Sequence, residues 1–233
     1  MITAIADALV SLLNVFHRWT GSYGWSIILL TLAIKGVLHP LTRKQLRSMK
    51  AMQALAPQMQ ALREKYRDNP QQMNVEIMNL YRAHGVNPLA GCLPMLVQLP
   101  VLYALFAALR REGLFGGETF LGAALDRVPT FAAIQHNPVL AVYPVLVGLT
   151  TYLQQRLTIA DPQQARMFLF MPLLVAWFAT QFQVGLSLYW IVSTLAYAVE
   201  YLLIVGRPAP APAAARPAAP VLPQRPRGTK KRG

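Results

Sequence analysis

Lys35 is the one charged residue among the mostly apolar side chains of residues 23–38. A lysine in that setting is, while protonated, a cation able to draw an acidic group into an apolar environment. In a helix it lies roughly 18 Å from Tyr23, past the middle of a bilayer core of about 30 Å. Two readings follow. Either its long stem lets the ammonium snorkel to the headgroups, or it faces a hydrated cavity. Thr31, one turn away on the same face, carries polar surface deeper than a snorkelling lysine requires. Gln98, between Pro94 and Pro100, adds another polar group in an apolar stretch, as do Tyr189, Trp190, Ser193, Thr194 and Tyr197. Taken singly, each serves readily as an interhelical hydrogen-bond partner. Glu200 falls toward the cytoplasmic interface and reads as structural. No catalytic set accompanies these residues. His17, His39, His84 and His136 are scattered near segment ends, no glycine-rich phosphate loop or His-Glu metal motif occurs, and Cys92 is the single cysteine. An enzyme, a metal, a cofactor or a disulfide framework is not expected.

The elements that must position these groups are helices crossing a membrane. Of 233 residues, 55% are apolar and 13% charged, where a soluble domain carries about 25% charge. The deficit is concentrated in hydrophobic stretches separated by short polar ones. Residues 1–19 place Ile2, Ile5, Leu9, Leu12, Leu13 and Phe16 on one helical face, opposite Thr3, Asp7, Ser11 and Asn14, as in a helix lying in the interface. Trp19, Tyr23 and Trp25 follow as aromatic anchors. A first span occupies residues 20–41 and is expected to end at His39-Pro40, because proline disfavours helix at the residue before it.

Residues 42–86 read as a helical hairpin. Eight basic residues stand there against three acidic ones. Leu46, Met49, Met52, Leu55, Met59, Leu62 and Tyr66 form one apolar stripe, and Met73, Ile77, Leu80 and Tyr81 form its match. Asp68-Asn69-Pro70 makes the turn and Gly85 the C-cap. Residues 87–205 hold spans two to five, at about 89–109 (with both prolines bending it), 139–153, 167–180 and 186–205. A mixed loop at 110–136, a polar loop at 154–166 with a helix start at Asp161-Pro162, and a tight turn at 181–185 connect them. Residues 206–233, with seven prolines and seven basic residues, read as a disordered basic tail. The fold class is therefore all-α: five transmembrane helices, a cytoplasmic hairpin and an amphipathic interfacial helix. With the N-terminus outside, seventeen lysines and arginines lie on the cytoplasmic side and four outside, which selects N-out, C-in. No basic n-region precedes Arg18, so a cleaved signal peptide is not expected. The third and fourth spans cover only about 22 Å each and should thin the bilayer around them.

Four segments carry a family resemblance. GWSIILLTLAIKGVLHPLT at 24–42 and NPLAGCLPMLVQLP at 87–100 resemble the first two core spans of the YidC/Oxa/Alb membrane protein insertases. DPQQ at 161–164 through FMP at 170–172, and GLSLYWIVS at 185–193, resemble the last two. The likeness covers about residues 20–205, in order, with the basic hairpin between the first pair. It implies five core helices around a hydrophilic groove, open to cytoplasm and lipid. Lys35 would stand where the family usually has arginine, with Thr31, Gln98, Tyr189, Trp190 and Ser193 along the groove. A lysine serves there only if the groove is wet. The resemblance makes nascent membrane proteins the substrate, inserted without ATP, alone or beside the Sec translocon. Their acidic tails would be drawn to Lys35 while the apolar segment passes into lipid beside the first and fifth spans. Met49, Met52, Met59 and Met73 would offer adaptable hairpin contacts. Arg225, Arg227, Lys230, Lys231 and Arg232 would bind the ribosome or anionic lipid equally well. A monomer in the bacterial inner membrane is the expected form. The long form's large periplasmic domain and the short form's lipoprotein signal are not found in this sequence. The alternatives are a small-solute transporter, for which no inverted repeat is visible, and an assembly chaperone that does not insert.

Overall fold

The structure is a computed structural model that describes residues 2–87, 93–111, 113–159 and 162–206. Ten α-helices are present among them. Helix α1 (Ile2–Thr20) precedes the long α2 (Tyr23–Ala54). Helices α3 (Ala56–Lys65) and α4 (Pro70–Ala83) form the hairpin, and α5 (Leu93–Leu109) follows. A loop carries the two-residue strands β1 (Thr119–Phe120) and β2 (Ala123–Ala124), then α6 (Phe131–His136). A 3-10 turn, Pro138–Ala141, leads into α7 (Val142–Thr158). Helices α8 (Pro162–Met167), α9 (Met171–Ala179) and α10 (Val184–Ile204) complete the chain. The antiparallel β1–β2 pair, Thr119 opposite Ala124 and Phe120 opposite Ala123, is a small departure from the all-α expectation.

Helix α10 is the axis of the bundle, packed against α2 on one side and α7 on the other, while α1 crosses α2 and α5 and α9 lies along α7. Gly148 permits that last approach, since a side chain there would press on Ala176 and the Pro172 carbonyl. The core joins Leu13, Ile27, Leu30, Leu105, Leu109, Val147, Val184 and Tyr189. On α1 the packed residues are Ala6 and Leu13, with Leu9 and Phe16 beside the core, while Ile5 and Leu12 of the same apolar set stay exposed. Helices α2 and α10 are long and apolar enough to cross a bilayer unaided; Gln98–Leu109 and Ala165–Ala179 are shorter apolar helices.

The loop between α5 and α7 seals one end of the bundle. Glu118 Oε1 accepts from the Tyr23 N–H at 2.8 Å, capping α2, where a carboxylate also complements the helix dipole. Its other oxygen meets His17 Nε2 at 3.3 Å, and the His17 ring stacks on Tyr23. The same loop caps α10: the Val184 and Gly185 N–H groups donate to the Arg127 and Leu125 carbonyls, each at 2.9 Å. The loop's own Phe115, Ala123 and Leu125 are buried in the core. Asp7 of α1 pairs with Arg111 just past α5. Phe120 lies directly over Gly24, where an added Cβ would overlap its ring. Gly24→Ala should therefore lower stability by about 1–3 kcal/mol through overpacking. Thermal unfolding in detergent will show it, and Phe120→Ala should relieve most of the loss in the double variant.

Three expectations need correction. The helix of the expected first span does not stop at His39-Pro40, because α2 continues through Pro40 to Ala54. A proline inside a helix costs about 3 kcal/mol. Beyond it, Leu46 becomes fully buried against Tyr197 and Tyr201, and each such burial returns about 1.5–3 kcal/mol. The helix of the expected third span runs past residue 153 to Thr158, absorbing the start of the expected polar loop. The fourth is not one helix. Turns at residues 168–170 separate α8 from α9, and Pro172 opens α9 in its first turn. Cys92 and Asp161 lie outside the described residues, as does the tail from 207 onward.

The hairpin has the expected turn. The Asn69 side chain accepts from the Gln72 N–H at 3.1 Å, Pro70 opens α4, and Gly85 takes a positive φ of 65°. Helices α3 and α4 face each other, with the Tyr81 hydroxyl 3.0 Å from the Met59 sulfur, and no residue of either helix is buried.

Candidate functional site

Away from the sealed end, α2, α5, α7 and α10 enclose a polar cavity of about 350 Å³. Helix α10 supplies Tyr189, Trp190, Ser193, Thr194 and Tyr197, positions three, four and eight apart that share one face. Helix α2 supplies Lys35 and, two and a half turns beyond Pro40, Met49; α5 supplies Gln98; α7 supplies Gln154 and Thr158. The walls are tied by side-chain hydrogen bonds. Gln98 Nε2 donates to the Tyr189 hydroxyl at 2.6 Å, joining α5 to α10. Trp190 Nε1 donates to Thr151 Oγ1 at 3.3 Å, joining α10 to α7. The Tyr197 hydroxyl meets the Met49 sulfur at 3.5 Å, joining α10 to α2.

Lys35 is half-buried, with Nζ 5.9 Å from the centre of the Tyr197 ring, within cation–π range. It makes no salt bridge among the described residues. Glu200 lies near enough to act on it electrostatically, but is itself held by His39, whose Nδ1 is 2.6 Å from Glu200 Oε1. A lysine ammonium with no acidic partner in contact, on the wall of such a cavity, has the chemistry to pair with an anionic group.

A second, apolar cleft of about 630 Å³ adjoins the first. Leu102 and Phe106 of α5, Val175 and Phe178 of α9, and Phe182 and Leu186 line it, and Trp190 belongs to both spaces. The expected exit beside the first and fifth spans is not where this cleft lies; it runs between α5, α9 and α10.

Of the groove residues expected from sequence, Lys35, Gln98, Tyr189, Trp190 and Ser193 come together around the polar cavity. Thr31 does not line it. Its side chain is buried, and its hydroxyl donates to the Ile27 carbonyl at 2.6 Å within its own helix. The methionines expected on the hairpin separate: Met49 lines the cavity and Met52 lies half-buried near the end of α2, whereas Met59 and Met73 lie half-buried on α3 and α4. Arg225, Arg227, Lys230, Lys231 and Arg232 are outside the described residues. Gln154, Thr158 and the His39–Glu200 pair escaped the sequence reading. The absence of any helix breaker between Leu153 and Asp161 could have placed the first two on α7. Among the described residues no three histidine, cysteine or acidic side chains converge as a metal site.

The fold is thus a helical bundle closed at one end, with a cavity bearing Lys35 beside an apolar cleft. Residues 15–208 match the family described as 60Kd inner membrane protein, and the chain belongs to that family. It is 37% identical over 208 residues to the membrane protein insertase YidC of Campylobacter jejuni, covering 87% of this chain and 38% of that protein. Against the membrane protein insertase YidC of Pelobacter propionicus it is 40% identical over 201 residues, covering 83% and 37%. An active YidC insertase, whose crystal structure resolves the first transmembrane domain, superposes with a TM-score of 0.68 at 28% identity, over 84% of this chain and 45% of that one. The chain thus spans less than half the length of these relatives.

Proposed function

We propose that the chain is a membrane protein insertase and chaperone, moving hydrophobic segments of nascent proteins into the bilayer through the groove around Lys35. The observation that carries this reading is the shared wall at Trp190: one substrate can place a polar tail in the cationic cavity and an apolar segment in the adjoining cleft. An acidic tail is drawn to Lys35 more strongly than in bulk water, because the cavity is partly dehydrated. The apolar segment partitions through the cleft into lipid, gaining about 0.8 kcal/mol per buried methylene. A membrane potential positive outside then favours export of the tail's negative charge.

In this reading five spans cross the bacterial inner membrane, α8 and α9 together making the fourth, with the N-terminus outside and the hairpin inside. The exposed, basic hairpin captures substrates, and its half-buried methionines adapt to varied apolar sequences. The tail residues Arg225, Arg227, Lys230, Lys231 and Arg232 meet the ribosome or anionic lipid, and the Sec translocon is a further partner of an active monomer.

Purified protein in liposomes should insert a single-span substrate with an acidic tail, scored by protease protection. Failure to insert while the substrate remains bound would favour the non-inserting chaperone, and solute flux without insertion would favour the transporter. The 17 residues of α7 rise only about 26 Å, short of a core of about 30 Å, so the surrounding bilayer should thin. Small-angle scattering of nanodiscs should show a thickness below that of empty discs; equal thickness removes the lipid-deformation contribution.

A further inference from the structure

His39 follows Lys35 by one turn of α2, and Glu200 follows Tyr197, the residue beneath the Lys35 ammonium, by nearly one turn of α10. The Glu200 side chain is only 15% exposed. One carboxylate oxygen contacts His39 Nδ1 at 2.6 Å, while the other, Oε2, is buried with no hydrogen-bond partner. A buried carboxylate with an idle oxygen is costly to maintain, and packing alone gives no reason for an acid at this position. Its negative charge lies within electrostatic reach of Lys35, yet the two are not in contact.

We propose that Glu200 is the resident counter-charge of the groove: it competes with an arriving acidic tail for Lys35 and is held away from it by His39. The His39–Glu200 pair thereby sets how strongly the groove prefers acidic tails over neutral ones. This rests on the insertase reading for its substrate class. Removing the His39 contact frees Glu200 to swing onto Lys35 and close the site to other anions. Removing the Glu200 charge leaves Lys35 uncompensated and sharpens the preference. One unit charge about 12 Å from a bound anion, at an effective dielectric of about 20, changes its affinity by about tenfold, and a nearer one by more.

The test is equilibrium binding to the full chain in phosphatidylcholine nanodiscs, using a fluorescent single-span peptide with two aspartates in its tail and the same peptide with two asparagines. The readout is the ratio of acidic to neutral affinity. Glu200→Gln should raise that ratio about tenfold and His39→Ala should lower it by a similar factor, as one charge near Lys35 is removed or brought closer. The double variant should follow Glu200→Gln. His39→Asn keeps a donor where Nδ1 stands and should stay near wild type, which separates loss of the contact from loss of fold. The proposal is overturned if Glu200→Gln moves both affinities alike, or if His39→Ala lowers the ratio as much without Glu200 as with it. Because the readout is binding, protein that shows this pattern but fails to insert in liposomes refutes the insertase reading and not the counter-charge.

Discussion

Lys35→Ala is expected to slow insertion of an acidic-tailed substrate by at least about tenfold, the effect of removing one charge from a partly dehydrated site. Lys35→Arg should keep most of the activity. The cavity gives the reason for both. Lys35 stands on a polar wall with Gln98, Tyr189 and Ser193, and among the described residues no acidic side chain touches its ammonium. The charge is therefore available to a substrate, and being half-buried it is screened less by salt than a surface lysine. Arginine restores the charge, and about 350 Å³ of cavity gives the larger guanidinium room. The control is a substrate whose tail carries no acid, which should insert at a similar rate with or without Lys35. Proteoliposomes with a defined membrane potential and protease protection supply the measurement. Equal rates for wild type and Lys35→Ala on the acidic substrate would sink the groove-charge mechanism. Equal losses on both substrates would point to a damaged fold.

The features legible in sequence were those set by local chemistry. The Asp68-Asn69-Pro70 turn appears with its Asn69 cap because that geometry needs only adjacent residues. The polar face of α10 was visible because Tyr189, Ser193 and Tyr197 repeat every four residues in an apolar helix. What depended on remote partners was hidden. Pro40 reads locally as a helix stop, and only the seat of Leu46 on Tyr197 and Tyr201, more than 150 residues away, carries the helix past it. Thr31 shares a helical face with Lys35 in sequence, but its hydroxyl is satisfied by Ile27 and its side chain is sealed in the core. Glu118 falls in the expected mixed loop at 110–136, where nothing local marks it, and its capping of Tyr23 spans 95 positions. Glu200 read as structural because its neighbours Lys35 and His39 lie on another helix.

Tyr201→Ala should cost about 3–5 kcal/mol, the range for removing a large buried aromatic, and should also weaken substrate capture. Tyr201 is fully buried beside Leu46 and Tyr197, and its hydroxyl accepts from Gln53 Nε2 at 2.8 Å. Gln53 also reaches the Thr158 carbonyl at 3.4 Å, so this one contact set joins the end of α2, the end of α7 and the last turns of α10. It is the set that offsets the Pro40 penalty. With the ring gone, the balance at Pro40 reverses. The arm carrying Met49 should then loosen at the proline, and α3 and α4, which have no buried residue of their own, should move with it. Tyr201→Phe separates the two contributions. It keeps the ring and loses one hydrogen bond, so it should cost only about 1 kcal/mol. Thermal unfolding in detergent ranks the three proteins. Hydrogen exchange across residues 41–54 reports the arm, with faster exchange expected in Tyr201→Ala and near-native protection in Tyr201→Phe. Native protection of the arm in Tyr201→Ala would mean that α2 crosses Pro40 on its own helical preference, and that the hairpin's placement does not depend on α10.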